Sequence, residues 1–514
     1  MADRVVVFVH GWSVYKTDTY GRLPERLAAE GAARGLGLEI EHVYLAKYVS
    51  FRDEVRVEDI SRALESALRN EAPIAQALAA GKRLVIVTHS TGGPVVRDWW
   101  WRHYGAKKLD CPMSHLIMLA PANFGSSLAQ LGKSVLSRVM KRFEHVEPGS
   151  GTLDWLELGS PDAWKLNEDW IYSTPSWKLA QPVFQFVLTG QSIDRSVYDH
   201  VNSYTDEVGS DGVVRVPSAN LNSTYVELTQ AWDRATEKGP ELVVSAKRNA
   251  PRTAFAVLPG LSHSGDKMGI LRSVKKSGAH ATVDAVLECL AVDDAAGYEA
   301  LCTKFEDLTA KTQAAERLEL QDGLFFTTRE FVHDVTTQLV VRLRDSAGYS
   351  LGDFDFLLTA CDPEHENPRL RIPSPDLLPG GFFIDRQRNS RSKSTLTYYL
   401  NYDVMAGCPA IENEGERVRA AQPGAASLGL RVVPRPQPDP KDKKSKLLVH
   451  YATAELAASS KVLREFVKPN QTLMLDIVMK RVVRQGVLKL TRGERGRDFK
   501  NEDFREQEAG PSLD

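Results

Sequence analysis

Three residues of types that together perform acyl transfer stand far apart in this 514-residue chain: Ser90, Asp211 and His263. A serine hydroxyl is a weak nucleophile near neutral pH. It needs a histidine within reach to take its proton, and a carboxylate to hold the imidazole tautomer and stabilise the imidazolium. Asp211 lies in Gly209-Ser210-Asp211-Gly212-Val213-Val214. Aspartate-glycine alone means only a turn; what singles it out is its place on a loop after a late predicted strand. His263 lies in the glycine-bounded loop Pro259 to Gly265, directly behind a predicted strand from Thr253 to Leu258. His280, His333, His365 and His450 also follow Asp211 but lack that placement.

The elements that must position Ser90 are legible in KRLVIVTHSTGGPVVRDWWW, residues 82 to 101. Leu84 to Val87 is a continuous apolar, β-branched run suited to a strand buried on both faces. Thr91-Gly92-Gly93 breaks it. Pro94 is tolerated in a first helical turn, and Val95, Val96, Trp99, Trp100 and His103 follow at helical spacing. Strand, tight turn and helix form the context of a nucleophile elbow, with Thr88-His89-Ser90-Thr91-Gly92 carrying threonine where G-x-S-x-G has its first glycine. A second buried-strand run, Val5 to Val9, ends in His10-Gly11-Trp12. The backbone amides of Trp12 and Thr91 are the expected donors to a developing oxyanion, Gly11 permitting close approach. His10, Gly11, His89 and Gly92 support these motifs.

Further strands and helices alternate around this stretch. Tyr20 to Gly35 and Val57 to Ala80 have helical patterning, the second open to a kink or split at Pro73, while Leu38 to Tyr48, His115 to Pro121 and Val183 to Gly190 read as strands. Such alternation implies a doubly wound, mostly parallel sheet. Residues 122–182 interrupt it as an insertion. There Leu128, Leu131, Val135, Val139 and Phe143 form an apolar stripe beside Lys133, Arg138, Lys141 and Arg142, and Trp155, Trp164, Trp170 and Trp177 follow. The stripe suits a lid that meets an anionic surface or a helix packed permanently on the core. The tryptophans would suit a cap lining an acyl pocket.

The order Ser90, Asp211, His263 resembles the α/β-hydrolase superfamily, and within it the bacterial lipases and esterases. Thr-His-Ser-Thr-Gly-Gly is similar to the lipase elbow G-H-S-x-G-G, and Ser-Asp-Gly-Val-Val with the following Ser-Ala is similar to the lipase acid loop. The resemblance covers roughly residues 3–290. It implies a carboxylic ester substrate, expected to be a lipid, cleaved through an acyl-enzyme. This chemistry requires neither a metal nor an organic cofactor. Two further readings are kept: a catalytically inactive hydrolase fold serving as a lipid- or protein-binding module, and an antibacterial phospholipase toxin exported without a leader.

Beyond that region the period changes. Gln338 to Arg344, Phe354 to Thr359, Phe382 to Asp385, Thr395 to Val404, Leu428 to Val433, Lys446 to Tyr451 and Thr472 to Val482 are strand-like, separated by turn residues. The expected organisation is a catalytic α/β domain at 1–315, with charged Glu316 to Asp322 as boundary, a β-rich, sandwich-like accessory domain at 316–491 and a polar tail at 492–514. Lys441, Lys443, Lys444 and Lys446 could touch anionic headgroups, so peripheral membrane contact and a protein partner through this domain are the expectations beside the ester substrate. A net charge of −2 with no long single-sign block excludes a nucleic-acid partner. Five scattered cysteines without a C-x-x-C pair, no apolar leader and no membrane-length run fit a chain synthesised in the cytoplasm.

Overall fold

The computed structural model describes residues 4–10, 19–49, 52–131, 149–194, 207–231, 241–322, 328–360, 382–424, 427–437, 449–459 and 465–483. Gly11, Trp12, the insertion stripe from Val135 onward with its basic residues, the lysines at 441, 443, 444 and 446 and the tail lie outside them.

Six parallel strands form the first sheet: β1 (Arg4–His10), β2 (Leu38–Tyr44), β3 (Leu84–His89), β4 (Met113–Leu119), β5 (Phe184–Thr189) and β8 (Ala254–Val257), in the order β2-β1-β3-β4-β5-β8. Successive side chains of a strand point to opposite faces, and β1 serves two cores accordingly. Val5, Val7 and Val9 pack with helices Val57–Asn70, Ala72–Ala79 and Gly92–Trp100. Val6 and Phe8 pack with helices Leu23–Ala33, Ala281–Leu290 and Ala295–Ala315. Pro73 splits the second predicted helix. The first half ends at Asn70, Glu71 is extended, and Pro73 falls in the first turn of the next helix, where no donor is missed.

The β-rich part is one nine-stranded sheet of order β12-β17-β19-β7-β6-β20-β11-β14-β13. Two of its strands, β6 (Thr224–Ala231) and β7 (Glu241–Asn249), come from between β5 and β8 of the first sheet. The others are β11 (Thr336–Asp345), β12 (Phe354–Ala360), β13 (Phe383–Arg388), β14 (Thr395–Asn401), β17 (Ser427–Pro434), β19 (Ala454–Ser459) and β20 (Thr472–Met479). The second sheet thus draws strands from both before and after residue 315. Glu316 to Asp322 contains β9 (Leu318–Asp322), paired with β10 (Thr328–Val332). The nine strands roll until the two ends of the sheet meet. Tyr398 of β14 donates to the carbonyl of Phe356 of β12 at 2.8 Å, and Arg388 of β13 donates to that of Phe354 at 3.0 Å. The roll encloses Val226, Leu228, Val341, Phe356, Tyr398 and Ile477.

The described part of the insertion is packed structure. Leu128 is fully buried, and helices Ser150–Leu156 and Pro161–Tyr172 bring Trp155 and Trp170 into the hydrolase core. Trp164 packs edge-on against Tyr225 beneath Arg342, and Trp177 against Tyr298. The four tryptophans thus serve three separate packing sites rather than one cap: Trp164 and Trp170 share a helix but, six residues apart, enter different clusters, and Trp155 and Trp177 lie on other elements. Among the described residues no helix is long and apolar enough to cross a membrane.

Candidate active site

Ser90 follows β3 directly, at φ +53°. A non-glycine residue in this left-handed region costs roughly 1–2 kcal/mol, so the bend must be held from outside. The Ser90 amide donates to the carbonyl of Leu119 on β4 at 3.0 Å, and the Ser90 carbonyl accepts from the Gly93 amide at 3.2 Å. The threonine at the first elbow position is accommodated by the glycine at the last: a Cβ on Gly92 would stand 3.2 Å from Thr88 Cβ. Strand and helix therefore still approach closely, although Thr88 is bulkier than glycine. Gly93 is equally constrained, since a Cβ there would lie 2.7 Å from Pro121 Cβ.

His263 Nε2 stands 3.1 Å from Ser90 Oγ, and His263 Nδ1 stands 2.9 Å from Asp211 Oδ2. Asp211 is fully buried, and its other oxygen accepts from the amides of Val213 (3.0 Å) and Val214 (2.7 Å). A carboxylate oxygen facing Nδ1 suits the tautomer in which Nδ1–H donates to Asp211 and Nε2 faces the serine hydroxyl. The histidine loop hangs from the acid loop through its backbone as well, the His263 amide donating to the Asp211 carbonyl at 2.9 Å. The three residues follow β3, β5 and β8 at the carboxyl edge of the sheet, where ligands of open α/β sheets bind. Ser90, Asp211 and His263, read as separated candidates in the sequence, are thus brought together.

His89 points to the histidine side: its Nε2–H donates to the His263 carbonyl at 3.2 Å, with the rings 4.7 Å apart. Burial, and then the neighbouring His263, hold its pKa well below the usual imidazole value, so His89 stays neutral. The amide of Thr91, next to Ser90, donates to no other backbone group among the described residues. Its expected partner in the oxyanion site, Trp12, and Gly11 lie outside those residues. His10 is turned into a ring cluster: it stacks on Tyr44 at 4.3 Å, and its Nε2 lies 2.9 Å from His42 Nδ1. Burial, and secondarily His42, lower its pKa to about 3. Among the described residues, no group of three or more His, Cys, Asp or Glu side chains is placed to hold a metal ion.

Sequence reading missed the residues that surround the acid loop. Arg215, 1 % exposed, holds Glu207 through two contacts of 2.7 and 2.6 Å and also reaches Asp385. Only the proximity of Arg215 to Asp211 hinted at this; Asp385 is 174 positions further on than Asp211 and carries no motif.

A parallel, helix-covered sheet with a serine on an elbow after its third strand defines an α/β-hydrolase. No protein-family model matches the chain, and no curated protein sequence does. Among solved structures, phospholipase PlaB from Legionella pneumophila is 40% identical, with a TM-score of 0.81 and coverage of 96% of both chains. The same phospholipase in complex with thio-NAD is 38% identical, with a TM-score of 0.80, over 99% of this chain and all of the other. The chain belongs to the PlaB phospholipase family.

Proposed function

We propose that this protein is a lipid ester hydrolase that cleaves phospholipid acyl esters with Ser90 as nucleophile, His263 as general base and acid, and Asp211 as the orienting acid. The observation that carries this reading is the Ser90–His263–Asp211 relay, with contacts of 3.1 and 2.9 Å, on a serine held at φ +53°. His263 takes the hydroxyl proton as Oγ attacks the ester carbonyl, and Asp211 stabilises the imidazolium. The carbonyl oxygen becomes an oxyanion, to which the Thr91 amide donates; one such donor contributes about 2.7–4 kcal/mol to barrier lowering. Collapse expels the lysolipid alcohol, protonated by His263, and leaves an acyl-Ser90. Water, deprotonated by His263, then releases the fatty acid. Membership of the PlaB family supports phospholipid as the substrate, and such a substrate places the enzyme at a bilayer or micelle surface.

Ser90→Ala should abolish fatty-acid release from phosphatidylcholine and phosphatidylglycerol vesicles while leaving the fold intact, and a fluorophosphonate should label the wild type at Ser90. Undiminished turnover by the variant would refute the assignment. A folded wild type that neither labels nor turns over would instead support a hydrolase fold used as a binding module.

A further inference from the structure

Of the three groups in the relay, only Ser90 is held by its own strand and helix. Asp211 lies on a loop with little regular structure, in which Gly209 at φ +73° and Gly212 at φ +96° take conformations that disfavour side chains. His263 depends in turn on Asp211, through both its ring and its amide. A loop of this kind pays a large entropic cost for staying in one geometry, and something else must fix it.

The fixing contacts come from the rolled sheet. Tyr399 of β14 donates its hydroxyl hydrogen to the carbonyl of Val208 at 2.7 Å; the carbonyl of Gly209 is 3.0 Å away and Thr336 Oγ1 of β11 is 2.9 Å away. The approach is close enough that a Cβ on Gly209 would lie 2.6 Å from the tyrosine oxygen and 2.5 Å from Thr336 Oγ1. On the far side of Asp211, the Arg215 guanidinium lies 4.2 Å over the Tyr399 ring and bridges Glu207, four residues before the acid, to Asp385 of β13. Beyond it, Ser218 Oγ–H donates to Gln338 of β11 at 2.8 Å, and Thr472 of β20 donates to the Pro217 carbonyl at 2.9 Å. Four strands of the second sheet thus grip the chain immediately before and after the acid, two to seven residues from it.

We propose that the rolled sheet is a working part of the active site, in which Tyr399 is a positioning residue that holds the Asp211 loop in register with His263. The proposal rests on the assignment of Asp211 above and gives the β-rich part a role beyond membrane contact or partner binding. Tyr399 touches no reacting atom and acts through Asp211 alone. Its loss lets the carboxylate drift from Nδ1, which weakens both imidazole orientation and imidazolium stabilisation. Misplacement of catalytic groups by about 1 Å costs up to about 100-fold in rate.

The test is Tyr399→Phe, which keeps the ring over Arg215 and removes only the hydroxyl, assayed on p-nitrophenyl butyrate, with Asp385→Asn as a second variant. Both should lower kcat by about tenfold with little change in KM. Both should also move the acidic limb of the kcat/KM profile to lower pH, because an imidazolium less well held by Asp211 loses its proton more easily. Tyr399→Phe added to Asp211→Asn should cost nothing further, whereas a loss through general destabilisation would multiply. Unchanged kcat and an unmoved limb in both variants would overturn the proposal, as would a full multiplicative loss in the double variant. If Tyr399→Phe does not fold, Asp385→Asn decides by the same two readings. Ser90→Ala and Asp211→Asn, run alongside, separate the cases: if they retain activity the relay itself is wrong, whereas if they fail and Tyr399→Phe is normal only the positioning role is lost.

Discussion

His115, in the middle of the hydrolase sheet, sets a pH dependence of stability that can be worked out from its surroundings. It is 2 % exposed on β4, its Nε2–H donates to the Val292 carbonyl at 2.8 Å, and its ring stacks near Phe186. Burial first, and then the Arg4 guanidinium 3.4 Å from Nε2, lower its pKa to about 3. In the unfolded chain it would titrate near about 6.5. The unfolded state therefore binds a proton that the folded state refuses. The stabilisation is complete above about pH 6.5 and declines as pH falls toward 3, at up to about 1.4 kcal/mol per pH unit. By pH 5 His115 alone should cost about 2 kcal/mol. His115→Gln retains an amide N–H for Val292 and removes the titration. Chemical denaturation of both proteins should show the wild type's advantage over the variant shrinking by about 2 kcal/mol between pH 7.5 and pH 5. A difference that stays constant across that range would show that His115 is not held neutral, and the reasoning would fail.

Two further substitutions probe the surroundings of the elbow. Thr88 Oγ1 is buried without a hydrogen-bond partner among the described residues, so Thr88→Val, of nearly the same shape, should raise stability by about 1 kcal/mol with kcat unchanged; a lower unfolding midpoint would reveal a partner for the hydroxyl. Arg97, on the helix that follows Ser90, is 2 % exposed and donates to Asn123 at 3.2 Å, meets no carboxylate among the described residues, and has its pKa lowered by burial to about 9. Arg97→Met should therefore stabilise the protein by about 1–3 kcal/mol in the same assay, and a loss of that size would mean that the guanidinium is compensated.

The hydrolase sheet was legible because its strands other than β2, a half-buried edge strand, are buried and read as largely apolar runs, and because Ser90 sits where such a run stops in glycines. Asp211 and His263 could be picked from many acids and histidines by their place after strands. The second sheet was legible only in part. β7, ELVVSAKRN, has mostly exposed side chains and shows no alternation, and β6 was hidden by its position among hydrolase strands. The Tyr398-Tyr399 pair shows why contacts were harder still. Alternation correctly puts the two rings on opposite faces, with Tyr398 inside the roll, but where the outward ring lands depends on how two sheets pack, which no local pattern records. The tryptophans misled for a related reason: proximity in sequence was read as proximity in space.

β20 lies in the middle of the rolled sheet, parallel to β6 on one side and to β11 on the other. In order of synthesis, this central strand is made long after its neighbours. At roughly 5–20 residues per second, β6 waits tens of seconds for it. Until β20 arrives, β6 and β11 have no common partner, and the strands that hold the acid loop are not assembled into one sheet. Ser90 and its elbow are complete much earlier. The interleaving thus orders completion of the fold along the chain: the strand and helix around Ser90 are made early, whereas β20, which joins β6 to β11 beside the Asp211 loop, is made near the end of the described residues.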